Sequence, residues 1–175
     1  MVLTTLSKDE KGLNNITYCY LNLHEYLGLK IIGYGVSERP EKPIEGYNWG
    51  RQLKEDKLRY RRVYSHVTNR LRDLFLSASG DDVIFISHNV PFNTKLDKIN
   101  NPNVPVHGMH FGSVIVREMI EEFNPLVCVG GHMHENPGQI KLGNSVVVNT
   151  GHAIKDSSLL EIKNGNSSFA VFIPM

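Results

Sequence analysis

Three histidines follow two apolar runs of the sequence, and imidazole is a common ligand of transition metals. His88 comes directly after VIFIS (83–87), and His132 and His134 come directly after LVCVGG (126–131). In open α/β sheets, binding sites assemble outside the carboxyl ends of the strands. We therefore predict that the three rings meet at one rim, where neutral imidazoles could bind Mn, Zn, Fe or Co.

The spacing of the second and third histidines bears on this prediction. His132 and His134 are two residues apart, so in an extended segment both rings would face the same side. Gly130 and Gly131 allow the backbone to leave the strand sharply, because glycine has no Cβ. A His-x-His pair alone also occurs in polar loops without any metal. The third histidine, His88 on another strand, is what favours a metal site here.

The elements that must position these residues can be predicted from hydrophobic periodicity and turn residues. Helices are predicted over 51–77 and 113–123, the second capped by Ser113 and stopped by Asn124-Pro125. Strands are predicted over Ile16–Leu23, Leu29–Val36, Val83–Ser87 and Leu126–Val129, followed by hairpins around Gly143-Asn144 and Asn164-Gly165. Helices alternating with buried strands, followed by hairpins, predict a mixed α/β layered domain.

The full strings carry a family resemblance. FISHNVPF is followed by FGSVIVREMIEEFNPLVCVGGHMHE and then by LGNSVVVNTG, from about Val83 to Gly151. This order resembles the last part of the calcineurin-like metallophosphoesterase superfamily, and LNLHEYLGLKIIGYG resembles the segment after that family's third motif. The resemblance implies one domain over 1–175, an α/β sandwich with α/β/β/α layers that lacks its N-terminal strands.

The resemblance also implies a function. Family members are metal-dependent hydrolases of phosphate monoesters or diesters with a dinuclear site. By position, His88 and His132 would hold one ion and His134 its neighbour. Asn89, beside His88, could orient that ring as an outer supporting group, and Asn149 is a second candidate of this kind. Two ions roughly 3.5–4 Å apart can clamp a phosphoryl group and generate a hydroxide nucleophile.

The first three motifs of that family, Asp-x-His, Gly-Asp and Gly-Asn-His-Asp/Glu, have no counterpart at a strand end in this sequence. The missing aspartate bridges the two metals, and Glu135, the acid beside the histidines, is not a ligand in the family. We therefore expect at most one weak metal site and little activity from the chain alone. We also expect an open strand edge that needs an upstream N-terminal half or self-association.

Two further features leave alternatives open. His107 and His110 lie in the long loop 89–111 and are candidates to contact a substrate phosphate or to act as an acid, although loop histidines are more often simply solvated. Between Arg51 and Arg72 lie eight Lys and Arg against two acids, which could guide a phosphate-rich substrate or form an ordinary solvated helix face. The alternatives are a non-catalytic partner-binding module and a nucleic-acid binder using helix 51–72.

Composition sets the remaining limits. The formal net charge is +1, which by itself predicts no polyanionic partner. The sequence contains no apolar run long enough to cross a membrane, and its N-terminus has no secretion-signal pattern. Two cysteines are too few for a disulfide framework, and Cys128 in its apolar run is expected to be a small buried hydrophobe. These features predict a cytoplasmic protein.

Overall fold

The computed structural model describes residues 2–4, 16–35, 41, 53–79, 82–152, 156–163 and 167–174. Its elements, in chain order, are β1 (Val2–Thr4), β2 (Ile16–Tyr18), β3 (Leu23–Tyr26), β4 (Leu29–Tyr34), α1 (Leu53–Ser77), β5 (Val83–Asn89), α2 (Val114–Phe123), β6 (Val127–Gly131), β7 (Gly138–Leu142), β8 (Ser145–Asn149), β9 (Asp156–Lys163) and β10 (Ser167–Pro174). This arrangement confirms the mixed α/β class. Neither helix is long and apolar enough to cross a membrane, within the residues that the structure describes.

The central element is a six-stranded sheet in the order β3-β4-β5-β6-β8-β7. Strands β4, β5, β6 and β8 run parallel, and the edge strands β3 and β7 are antiparallel to their neighbours. The four parallel strands therefore end at the same side of the sheet. Strands β9 and β10 form a separate antiparallel hairpin, as predicted; its turn, Asn164-Gly165, lies outside the described residues.

Both helices pack on one face of this sheet. The apolar core on that face joins Leu71 and Phe75 of α1 to Met119 of α2 and to Phe85 and Cys128 of the strands. The alternate residues Ile31, Ile84, Val127 and Val146 form a second cluster, to which Ile162 of β9 also belongs. This alternation follows from the pleat, which turns successive side chains to opposite faces.

Helix α2 begins and ends where its sequence indicates. The Ser113 hydroxyl accepts a hydrogen bond from the Val116 amide at 3.0 Å, and Asn124 adopts a left-handed conformation with φ 47° at the other end. The Glu41 carboxylate accepts a further bond from the Val114 amide at 2.8 Å. A carboxylate thus occupies the positive end of this helix, where it interacts favourably with the helix dipole.

Two expectations about the N-terminal part are corrected. Ile16–Leu23 is not one strand: β2 ends at Tyr18, and Leu23–Tyr26, expected partly as a link, is strand β3. Strands β3 and β7 cover the outermost parallel strands, β4 and β8, and are themselves the edge strands of the sheet, so among the described residues its open edges lie at β3 and β7. On the second face of the sheet, three apolar side chains stay half-buried: Ile86, Val129 and Val146.

Cys128 behaves as the sequence indicated. It is fully buried between the strands, and burial raises the pKa of its thiol to about 12. A thiol that stays protonated is a poor nucleophile and a poor metal ligand. Cys19 is likewise free and buried.

The turn between β3 and β4 is a two-residue hairpin, with Leu27 at φ 51° and Gly28 at φ 78°. Positive φ at both central residues is typical of a type I′ turn, which favours Asn-Gly. Leu27 is 84% exposed, so its side chain has little packing to lose. We expect Leu27→Asn to raise the free energy of unfolding by about 0.5–1 kcal/mol by relieving the left-handed strain. Urea denaturation would measure this, with Gly28→Ala expected to lower stability; an unchanged or lower value for Leu27→Asn would contradict the turn assignment.

Candidate metal site

The parallel strands β5, β6 and β8 are neighbours, so their carboxyl ends bring three loops together. His88 lies one residue before the end of β5. The pairing runs from Ile86 opposite Val129 to Asn89 opposite Gly131, so β5 uses one more residue than β6 over this stretch. Such a bulge bends a strand and re-aims its side chains. It leaves His88 exposed at the rim between the buried residues Ser87 and Asn89.

His132 follows β6 in an unusual backbone conformation. Its φ is 67°, and the Met133 amide donates to the Gly131 carbonyl at 2.8 Å across it. A three-residue turn with positive φ at its centre is rare and strained. Strain of this kind costs about 1–3 kcal/mol and often occurs at functional sites. The turn therefore places the His132 side chain at a strained point of the backbone directly after β6.

Gly130 lets the two strands approach closely at this point. A Cβ placed on Gly130 would lie 2.9 Å from the Asn89 carbonyl oxygen and 3.2 Å from the Ser87 hydroxyl. Any larger residue would push β6 away from β5 beside the histidines. The glycine thus fixes the distance between the two strand ends that carry His88 and His132.

The rings of His88 and His132 are in contact. Nε2 of His88 lies 3.1 Å from Nδ1 of His132, and the ring centroids are 4.8 Å apart. Two imidazole nitrogens bound to one tetrahedral zinc would be separated by about 3.3–3.4 Å, given Zn–N bonds near 2.05 Å. The same distance also suits a direct hydrogen bond between the rings. The separation of these two nitrogens is therefore compatible with a shared divalent ion and with a hydrogen bond.

His134 does not join the pair. Its ring lies against His152, with centroids 4.8 Å apart in an edge-to-face arrangement. The expectation that both rings face the same side assumed an extended segment, and the segment instead turns at His132. His152, which follows β8, is brought to the rim beside His134. Within the ranges that the structure describes, no group of three His, Cys, Asp or Glu side chains could hold an ion.

Asn149 supports the loop that carries His134. Its side chain is fully buried, and its amide donates to the carbonyl oxygens of Met133 and Asn136, each at 2.7 Å. Its own oxygen accepts from the Gly151 amide at 3.1 Å. One amide therefore ties the end of β8 to both sides of His134, which suits the supporting role expected for Asn149.

Asn89 supports a different part of the site from the one expected. Its buried side chain donates to the Phe111 carbonyl at 2.8 Å and accepts from the Val90 amide. These bonds hold the long loop against the end of β5, whereas the sequence suggested that Asn89 would orient the His88 ring. The two residues are adjacent in a strand, and adjacent side chains point to opposite faces.

The long loop contains a polar cluster that sequence reasoning missed. Asp97 is fully buried and accepts hydrogen bonds from the backbone amides of Asn93, Thr94 and Gly112 and from Nδ1 of His110, at 2.7–2.9 Å. No sequence signal identified Asp97, because its partners lie up to fifteen residues away. His107, the other loop candidate, is exposed at the turn 104–107, and its ring has no partner among the described residues.

The basic helix shows ordinary surface behaviour where its side chains are described. Arg72 donates to Glu122 of α2 at 2.8 Å, and Arg62 and Arg70 are exposed. Arg51 lies outside the described residues, and the side chains of the other early basic residues of the expected cluster also lie outside them: Lys54, Lys57, Arg59 and Arg61. Arg72 therefore helps to join the helices.

The chain is similar to a curated protein and to two solved structures, in each case over part of their length. No family model matches the chain. The uncharacterized protein MJ1162 of Methanocaldococcus jannaschii is 32% identical over 89 residues, which cover 50% of this chain and 36% of that protein. One crystal structure superposes with a TM-score of 0.51 at 20% identity over 80% of this chain and 48% of its own. The crystal structure of TT1561 of Thermus thermophilus has a TM-score of 0.43 at 15% identity, over 87% of this chain and 57% of its own.

The superposition with a TM-score of 0.51 shows that this chain shares its α/β fold with a solved structure. At 20% sequence identity, this likeness shows the fold alone. This chain spans about a third of the length of MJ1162 and about half of that solved chain. Both relatives therefore contain residues for which this chain has no matched counterpart.

The strained turn yields a test at His132. At an ordinary position, Ala is more stable than Gly because Gly loses more conformational entropy on folding. At φ 67° the order should reverse, so we expect His132→Gly to exceed His132→Ala by about 1 kcal/mol in free energy of unfolding. Both variants remove the imidazole, so their difference isolates the backbone. Greater stability of the Ala variant in urea denaturation would show that the left-handed turn is absent.

Proposed function

We propose that this chain is the C-terminal part of a calcineurin-like metallophosphoesterase, a hydrolase of phosphate esters that uses divalent metal. The observation that carries this proposal is the contact between two imidazole rings at the ends of two parallel strands. His88 Nε2 lies 3.1 Å from His132 Nδ1. A strained turn holds one of them and a bulge presents the other. Side chains placed in this way are more typical of a ligand site than of a solvated loop.

Three further observations support the proposal. The motifs FISHN, GGHMHE and NTG, on which the family resemblance rests, fall at the ends of three adjacent parallel strands. Ligand sites of open α/β sheets form at that location. The shared fold supports a layered α/β domain, and both relatives are longer than this chain.

In this proposal His88 and His132 hold one Mn, Zn, Fe or Co ion, and His134 with its neighbour His152 faces the place of a second. A bound dication would polarise a phosphoryl oxygen and lower the pKa of its bound water. Asn149 keeps His134 in place through the two carbonyl oxygens that it binds. Asn89 keeps the long loop docked beside His88.

The described residues provide too little negative charge for a complete dinuclear site. Two cations a few ångströms apart repel each other strongly when water is excluded, and imidazoles are neutral ligands. No carboxylate joins the histidines within the part of the chain that the structure describes. We therefore propose that an N-terminal half, carrying the missing Asp-x-His, Gly-Asp and Gly-Asn-His motifs, completes the site.

The half-buried second face of the sheet offers that half, or a second copy of the chain, an apolar surface. Ile86, Val129 and Val146 lie on this face and are only partly covered by the described residues. The two alternatives, a non-catalytic partner-binding module and a nucleic-acid binder, remain as outcomes of the assay below. In the described part of α1, no contact favours nucleic-acid binding.

Phosphodiester hydrolysis tests the proposal. With Mn²⁺ and bis(p-nitrophenyl) phosphate, we expect the lone chain to show little or no turnover above a metal-only control. Co-expression with the segment encoded upstream, where that segment carries the three missing motifs, should raise turnover by about a hundredfold or more, since misplacement of reacting groups by about 1 Å can cost that factor.

The restored activity should be lost in His132→Ala and in His134→Ala but retained in His66→Ala, whose histidine is exposed on α1 away from the rim. Robust turnover by the lone chain, abolished by His132→Ala, would contradict the claim that this chain has too few metal ligands to be active alone. No turnover from the completed protein would contradict the proposed function. In that case a salt-sensitive shift of nucleic acid in a gel would favour the nucleic-acid binder.

A further inference from the structure

The cluster around Asp97 is a second place in the molecule where chemistry-bearing side chains are held rigidly. The Asp97 carboxylate, 0% exposed, is surrounded by three backbone N–H donors and by the His110 ring. The ring also packs edge-to-face on Phe92, with centroids 5.9 Å apart. His110 is therefore fixed from two sides, by a hydrogen bond and by an aromatic contact.

Only one of the two ring nitrogens of His110 takes part in the hydrogen bond to Asp97. Nδ1 of His110 lies 2.7 Å from the carboxylate, and the side chain keeps 26% of its surface exposed. Nε2 has no hydrogen-bond partner among the described residues, and in the protonated ring it is an N–H donor. A backbone amide or an Asn would satisfy the carboxylate equally well. Nε2 is therefore the atom of this ring that could contact a ligand.

The loop is tied to the histidine rim at two points. Asn89, next to His88, donates to the carbonyl of Phe111, next to His110. Asn136, two residues after His134, donates to the Lys98 carbonyl at 2.6 Å, and Lys98 is the bridge partner of His110. Phe111, after His110, is thus hydrogen-bonded to the end of β5. Lys98, the bridge partner of His110, is hydrogen-bonded to the loop after β6.

We propose that His110, held in place by Asp97, contacts the phosphoryl group of the substrate, donating a hydrogen bond from Nε2–H to a non-bridging oxygen. This inference rests on the proposed function, because it places the phosphoryl group between the rim of His88 and His132 and the long loop. Charge-assisted hydrogen bonds of this kind are among the stronger contacts to phosphate oxygens. The cluster then positions a substrate-binding ring, and its buried carboxylate has a functional reason.

Histidine-ring NMR of the full chain separates this inference from the proposed function. In one arm, Zn²⁺ is added, and the ring signals of His88 and His132 should shift. In the other arm, inorganic phosphate is added at pH 6 and constant ionic strength, and the ring signals of His110 should shift along a saturating curve. Zn²⁺ shifts without phosphate shifts at His110 would overturn the inference and leave the proposed function standing. Absence of the Zn²⁺ shifts would contradict the proposed function, whatever the phosphate arm shows.

His110→Asn distinguishes substrate contact from a structural role. The Asn amide can replace Nδ1 as the donor to Asp97, so the loop should keep its melting temperature while Nε2 is lost. We expect phosphate, followed by the line width of its phosphorus signal, to bind roughly tenfold more weakly, as for loss of one charged hydrogen bond. His66→Asn, at an exposed position of α1, should bind as wild type does. Equal affinity of wild type and His110→Asn would show that His110 only fills the Asp97 cluster.

Discussion

The parallel register of β5, β6 and β8 is the constraint on which the rest of the site depends. Ile86 pairs with Val129, which in turn pairs with Val148, so the three strands end at the same height. Buried β-branched residues on these strands specify that register, since a slip of one residue would turn their core side chains to the wrong face. Gly130 then permits the close approach of β6 to Asn89. Because of these features, loops far apart in sequence deliver His88, His132 and Asn149 to one rim.

Side-chain amides connect the loops of the rim. Asn89, Asn136 and Asn149 each bind backbone carbonyl oxygens of a neighbouring loop. These hydrogen bonds connect the loops around the histidines to one another and to the strand ends. A preorganised arrangement lowers the cost of binding a ligand, because less freedom is lost on association.

Much of the fold was predictable from sequence, because the signals were local. Periodicity and the cap at Ser113 gave α2, apolar runs gave β5 and β6, and Gly143-Asn144 gave the hairpin of β7 and β8. The ends of the buried strands also located His88 and His132. The turn at His132 was not predictable, since an alternating His-x-His pattern assumes an extended backbone. The role of Asp97 was not predictable, because its hydrogen bonds span up to fifteen residues of irregular loop. The Leu27-Gly28 turn was not predictable either, because Leu rarely takes a positive φ.

The central claim is that the ends of β5 and β6 form one metal site from His88 and His132. Titration calorimetry with Zn²⁺ or Mn²⁺ tests it most directly, on wild type, His132→Ala and the control His66→Ala. The claim predicts weak binding of a single ion by wild type and by His66→Ala, and binding by His132→Ala that is weaker by at least about tenfold, given that even outer supporting residues of metal sites contribute 10–100-fold. Equal binding by all three proteins, or no binding by wild type, would contradict it.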